Sequence, residues 1–145
     1  MRRLITMATL LVAAVAIPSL ALGDLTDDLK ISDHGSAVSI QTVSGGQAVE
    51  LDYFYSGLGS QTVTITVSAP TSCTNAGVGN GGNEPPGQIS ASSGPIQPQN
   101  GNVQGTIVTG PASCPDHMGA NIGPTVTVTL SRDGKPDQVF TYLVS

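Results

Sequence analysis

Tryptophan is absent from the 145 residues, and only three Tyr, two Phe, two His and two Cys are present. Five Lys and Arg stand against ten Asp and Glu, with charged residues only 10% of the chain. Each scarcity removes a class of function. A nucleic-acid partner needs clustered Lys and Arg to neutralise phosphates, and an anionic membrane surface needs them for the same reason. His34 and His117 are the whole histidine complement, and neither Gly-x-Ser-x-Gly nor His-x-x-x-His occurs. Enzymes bring titratable groups together, so the expectation is a non-enzymatic protein with no cofactor. With so little charge, the surface has to be built from Ser, Thr, Asn, Gln and Gly.

Long hydrophobic runs are equally rare, and the single one is at the start. In MRRLITMATLLVAAVAIPSLALG, Arg2 and Arg3 form a positive n-region and Leu4–Ile17 an apolar stretch that Pro18 breaks. Small residues follow as Ala21-x-Gly23. This is the pattern of a secretory signal peptide over residues 1–23. The run falls short of the ~20 apolar residues a membrane span needs. Residues 24–145 then form one domain with three basic residues (Lys30, Arg132, Lys135) against ten acidic ones, a net charge of −7. The expected location is outside the cytoplasm: extracellular, periplasmic or on the cell surface.

In an exported chain, two cysteines read as one disulfide. Val67-Ser-Ala-Pro-Thr-Ser-Cys73 and Val108-Thr-Gly-Pro-Ala-Ser-Cys114 repeat one pattern, a strand, a proline turn and then cysteine. The two cysteines therefore sit at equivalent strand ends. For Cys73 and Cys114 to bond, the strands must run in the same direction, either facing each other across a sandwich or flanking one antiparallel strand. Gln88–Ala91 is the candidate for that intervening strand.

Period-2 alternation is the main structural signal. Val49, Leu51, Tyr53 and Tyr55 alternate with Ala48, Glu50, Asp52 and Phe54, and Val63, Ile65 and Val67 with Thr62, Thr64 and Thr66. With Ser56-Gly57-Leu58-Gly59-Ser60 between them, these two strands read as a hairpin. Ala37–Val43, Val103–Thr109, Thr125–Leu130 and Val139–Val144 are further strands, and Phe140 and Tyr142 are expected to stack near Tyr53 or Tyr55. Asp133-Gly134 marks a turn. The Gly-, Pro- and Asn-rich stretch 70–102 is dominated by turn chemistry, its tip over 76–87 is expected to be mobile, and 110–123 reads as a loop. Asp24–Asp33 reads as a flexible acidic arm. Six or seven strands without an amphipathic helix indicate an all-β fold, an antiparallel immunoglobulin-like β-sandwich.

Two stretches resemble known families. SGGQAVELDYFYSG (residues 44–57) followed by QTVTITVSAP (residues 61–70) resembles the immunoglobulin-like modules repeated in bacterial surface proteins. That resemblance covers roughly residues 37–70 and implies adhesion, spacing or assembly, with no catalytic residue carried over. Cys114-Pro-Asp-His117-Met118, with its glycine-rich turn and Val-Thr-Val strand, is similar to the metal loop of small blue-copper proteins. A copper site there would use Cys114, His117, Met118 and His34, the only other histidine. In this sequence Met118 directly follows His117, Ile122 stands where the family's axial Met is usual, and Cys73 would be left unpaired.

Three functional expectations follow. The first is a secreted structural or adhesive module or a subunit of an extracellular assembly, in which residues 24–33 add as a strand to a neighbour's open edge. Its partner is another protein or a second copy. The second is a ligand-binding domain whose Tyr53, Phe54 and Tyr55 contact sugars or peptides. The third is blue-copper electron transfer. Glu50 and Asp52, two residues apart on one strand face, read as a solvated polar face.

Overall fold

The structure, a computed structural model, describes residues 30–75, 87–115 and 118–144. The expected signal peptide (residues 1–23), residues 24–29 of the expected acidic arm, 76–86, 116–117 and 145 lie outside these residues. All regular elements among them are strands: β1 (Ser32–Asp33), β2 (Ala37–Val43), β3 (Gly46–Ser56), β4 (Val63–Asn75), β5 (Gly87–Ile96), β6 (Val103–Val108), β7 (Met118–Ile122), β8 (Thr125–Arg132) and β9 (Gln138–Leu143). No helix among the described residues is long and apolar enough to cross a membrane.

The strands form two antiparallel sheets. In the first, β3 is central, with β6 on one side and both β1 and β2 on the other. In the second, β4 is central, with β5 on one side and β7 and β8 sharing the other, and β9 lies outside β8. Because β1/β2 and β7/β8 each share one flank of one neighbour, nine strands fill seven positions. The alternation read from the sequence sets which faces meet. Val49, Leu51, Tyr53, Tyr55, Val103 and Ile107 of the first sheet join Val63, Ile65, Val67, Ala69, Val126, Val128 and Leu130 of the second in one buried cluster. Both sheets turn their apolar side inward, and removal of that surface from water is what holds them together.

The two strongest strands do not form a hairpin. β3 and β4 lie in different sheets, and residues 57–62 carry the chain across, with the side chain of Leu58 fully buried on the way. A six-residue connection fits a hairpin or a crossing equally well. What decides is that both strands are apolar on one face only, and facing sheets cover both faces at once. The connection also fixes directions. β4 begins beside the end of β3, and β6 begins opposite Tyr55 at that same end, so β4 and β6 run the same way in opposite sheets. Cys73 lies near the end of β4 and Cys114 beyond the end of β6. They are bonded, with Cα atoms 5.7 Å apart. Of the two arrangements compatible with the cysteines, the one across the core is present. The strand expected at Gln88–Ala91 is longer, Gly87–Ile96, and occupies the far edge of the second sheet rather than a place between the cysteine strands.

Two further expectations change. Within 110–123, Met118–Ile122 pairs with the end of β4, because β4 runs on past Pro70 and offers a partner. Residues 30–33 are not a free arm. Ile31 is 1% exposed, and Ser32 and Asp33 pair with Ser56 and Tyr55, so this part cannot add to a neighbour's sheet.

The Tyr53 ring lies over Gly105, its direct partner across the β3–β6 ladder. A Cβ at Gly105 would stand 2.6 Å from the Tyr53 hydroxyl oxygen, so Gly105→Ala should displace the ring and lower stability by about 1–2 kcal/mol, read as a lower urea midpoint with an altered tyrosine near-ultraviolet signal. Reduction of Cys73–Cys114 should cost about 4 kcal/mol, from the unfolded-chain entropy of a 41-residue separation. Unchanged urea midpoints with and without reductant would contradict that figure.

Candidate functional site

Alternation along β3 gives its aromatic residues opposite fates. Tyr53 and Tyr55 point into the core, 8% and 0% exposed, while Phe54 faces outward and is 40% exposed. The three-residue aromatic platform expected from the sequence therefore reduces to Phe54. Its direct cross-strand partner is Gln104 of β6, which shares the outer face. The His34 ring approaches Phe54 from the other side, with centroids 5.4 Å apart.

Phe54 lies in a groove of about 440 Å³ whose wall is the turn between β5 and β6, through Ile96, Gln97, Gln99, Asn100 and Asn102. The turn is a tight one. Gln99 and Asn102 exchange backbone hydrogen bonds of 2.9 Å, and Asn100 and Gly101 between them both have positive φ, 52° and 76°. Asn-Gly is the pair that tolerates two left-handed residues in succession, which is what a two-residue type I′ turn requires. The turn is tied down on both flanks. The Leu58 N–H donates to Gly101 O at 3.1 Å. Gln97 Nε2 donates to Ser60 O at 2.6 Å, while its Oε1 accepts from the Thr62 hydroxyl at 3.2 Å. The wall is thus fixed to the crossing 57–62. By contrast, the side-chain amides of Gln99, Asn100, Asn102 and Gln104 make no hydrogen bond among the described residues. No charged side chain lines the groove.

The buried tyrosines serve a different purpose. Tyr55 packs against Phe140 with centroids 5.1 Å apart, and its hydroxyl meets that of Tyr142 at 2.7 Å. Phe140 thus meets Tyr55 ring to ring as expected, and Tyr142 meets it through the hydroxyl. Tyr142 spends its one proton on Asp33 Oδ2, 2.9 Å away, so Tyr55 is the donor to Tyr142. The Ile31 N–H also donates to Gln138 Oε1 at 3.1 Å, and together these bonds fasten the first described residues to β9. Burial, followed by the hydrogen bonds to Tyr55 and Asp33, holds the Tyr142 phenol far above its ordinary value. Burial likewise raises Tyr53 and Tyr55. At Asp33, partial burial works upward, but hydrogen bonds from Ser36, Tyr142 and Gly35 outweigh it and leave the carboxyl below its usual value. Tyr55, Tyr142 and Asp33 together form a clamp between the two sheets.

The carboxylates Glu50 and Asp52 point outward and are bonded to their strand neighbours. Gln41 Nε2 donates to Glu50 at 3.3 Å and the Thr106 hydroxyl to Asp52 at 2.6 Å. The copper ligand set does not come together. The Cys114 sulfur is bonded to Cys73, which leaves no thiolate for a metal. His34 donates its backbone N–H to Phe54 O, whereas the loop bearing Cys114 meets β3 at Gln47. Those seven residues of strand are roughly 23 Å at ~3.3 Å per residue. Met118 begins β7 and pairs with Asn75. No group of three His, Cys, Asp or Glu that could hold a metal ion occurs among the described residues.

Asp33 supplies a pH test. A carboxyl depressed in the folded state contributes stability that is present above its unfolded value, near 3.8, and lost as pH falls through the lower folded value. Asp33 is solvent-exposed, so its share is at most about 1 kcal/mol. Asp33→Asn should melt below the parent protein at neutral pH, and the difference should shrink as pH falls below the unfolded carboxyl value. A difference independent of pH would show that the carboxylate charge is not involved.

No protein-family model matches the chain, and comparison with curated proteins returns no match, so what its groove and sheets do is read from its own residues.

Proposed function

We propose that the chain is an exported, non-enzymatic module of immunoglobulin-like type, with a structural or adhesive role or as a subunit of an extracellular assembly. The observation that carries this reading is the division of the seven strand positions. Lettered in chain order, β1/β2, β3 and β6 take the places of A, B and E, and β5, β4, β7/β8 and β9 those of C′, C, F and G. A disulfide between the two layers supports an oxidising compartment, as does the n-region and apolar stretch of residues 1–23.

Contact with other molecules fits the surface. Edge strand β9 exposes Val139 and Leu143, 60% and 78% accessible, at the open border of the second sheet. Exposed strand edges are where sheets accept further strands. Among the described titratable residues, Glu50 and Asp52 face outward, Asp33, Tyr55 and Tyr142 form the clamp, and Tyr53 and Arg132 are buried. No carboxylate or histidine among them is gathered into a cleft, an arrangement suited to a scaffold.

Produced from residues 1–145 in an exporting host, the protein should appear outside the cytoplasm as residues 24–145, two hydrogens lighter than its reduced form by intact mass. It should turn over no generic ester, glycoside, peptide or phosphate substrate. An intracellular product retaining residues 1–23 would reject export, and reproducible turnover would reject a non-enzymatic module.

A further inference from the structure

We infer that the Phe54 groove is a binding site for a neutral saccharide. Four observations meet there. An aromatic ring lies 40% exposed on the floor, four amides without partners among the described residues surround it, no charged group lines it, and its wall is braced before any ligand arrives. A pyranose has a weakly polar C–H face and a rim of hydroxyls that both donate and accept. An exposed ring receives the face. Carboxamides, which carry two donors and an acceptor with two lone pairs, satisfy the rim.

Other ligand chemistries fit less well. A phosphate or nucleotide would find no cation in the groove and would approach a chain with twice as many acidic as basic residues. A purely apolar ligand would strip water from the amides of Gln99, Asn100, Asn102 and Gln104 and return no hydrogen bond. An extended peptide binds a sheet edge through a ladder of main-chain bonds, and β6 contributes only Val103 and Gln104 to the groove. The volume of about 440 Å³ falls within the ~300–1,000 Å³ of small-molecule sites. The second groove, formed by Ser68, Pro70, Gly87, Gln88 and Thr127, offers no ring for a sugar face.

The bracing bears on affinity. Because Gln97 and Gly101 already hold the turn in place, a ligand has to order only four side-chain amides, and less conformational entropy is lost on binding than at a mobile loop. The site is open and has one aromatic contact, so millimolar to high-micromolar dissociation constants are expected. Such values suit a surface module presented in many copies, where linked sites raise the effective affinity. The site does not depend on the structural or adhesive role proposed above.

The test is NMR titration of the ¹⁵N-labelled exported chain with neutral di- and trisaccharides of glucose, galactose, mannose and N-acetylglucosamine, with a neutral extended peptide as comparison. At least one sugar should produce saturable shifts in the side-chain amides of Gln99, Asn100, Asn102 and Gln104. Phe54→Ala should weaken that binding roughly tenfold, Gln104→Ala should weaken it less, and Phe54→Tyr should retain it. Leu143→Ser, on the other sheet, should leave it unchanged. Should Phe54→Ala fold poorly, Gln104→Ala and Phe54→Tyr still decide. Absence of shifts with every sugar, shifts confined to other surfaces, or binding indifferent to Phe54 and Gln104 would overturn the assignment. Shifts at the groove with the peptide alone would overturn it too, and reassign the groove to peptides. Hydrolysis of a bound sugar would instead defeat the non-enzymatic reading while leaving the site in place.

Discussion

Tyr55 is the residue on which both sheets close. Its ring is fully buried on β3 and packs on Phe140 of β9, and its hydroxyl donates a hydrogen bond to Tyr142. The phenol belongs to the first sheet and its partners to the second, so one side chain supplies apolar contact and a directed hydrogen bond across the core. A buried hydroxyl is tolerated only when paired. The chain of bonds continues through Tyr142 to Asp33 and ends at an exposed carboxylate, which moves the polar end of the network out to water. Ile31 covers the same end of the core. The opposite end is closed by a different means, the bond between Cys73 and Cys114. The two layers are thus joined by a hydrogen-bonded aromatic seam at one end and a covalent link at the other.

This arrangement leaves the outer faces free of structural duty, and it explains why Phe54 can be exposed. In a strand one residue in two must face out. On β3 the inward places hold Val49, Leu51, Tyr53 and Tyr55, so an aromatic residue at 54 has nowhere to go but the surface. The crossing 57–62, required to carry the chain between sheets, also braces the 99–102 turn. Fold and groove therefore share one element, and the groove's rigidity follows from the sandwich's connectivity.

Much of the fold was legible in the sequence because the alternation is strict. The inward set of β3, the bounds of β2, the pairing of the cysteines and the meeting of Phe140 and Tyr142 with Tyr55 all follow from period 2 and from strand ends bearing the same Pro-x-Ser-Cys pattern. The β3–β4 relation was not legible, since sequence records the length of a connection and not whether it turns back or crosses over. The extent of β5 was hidden by Gly94 and Pro95, residues that ordinarily mark turns but are tolerated on an edge strand. The short β7 has little pattern of its own and exists because β4 offers it a partner. For the site, the outward place of Phe54 was implicit in the alternation, and Asn100-Gly101 announced a tight turn. That the amides of 99–104 surround Phe54 depends on the sheet register between β3 and β6, which no local pattern encodes.

The disulfide has a mechanical side. Cys73 and Cys114 close the chain into a covalent loop, and the turn and strand that carry Gln97 through Gln104 lie inside it. A pull on the two ends of the chain is borne first by β1 and β9, which the Asp33–Tyr142 and Ile31–Gln138 contacts lash together. The 41-residue separation between the cysteines adds no slack, because tension passes through the sulfur atoms and bypasses the loop. A molecule gripping the turn through Gln99, Asn100 and Asn102 would therefore hold a segment that tension bypasses, while Phe54 on β3 stays in the load-bearing part of the chain.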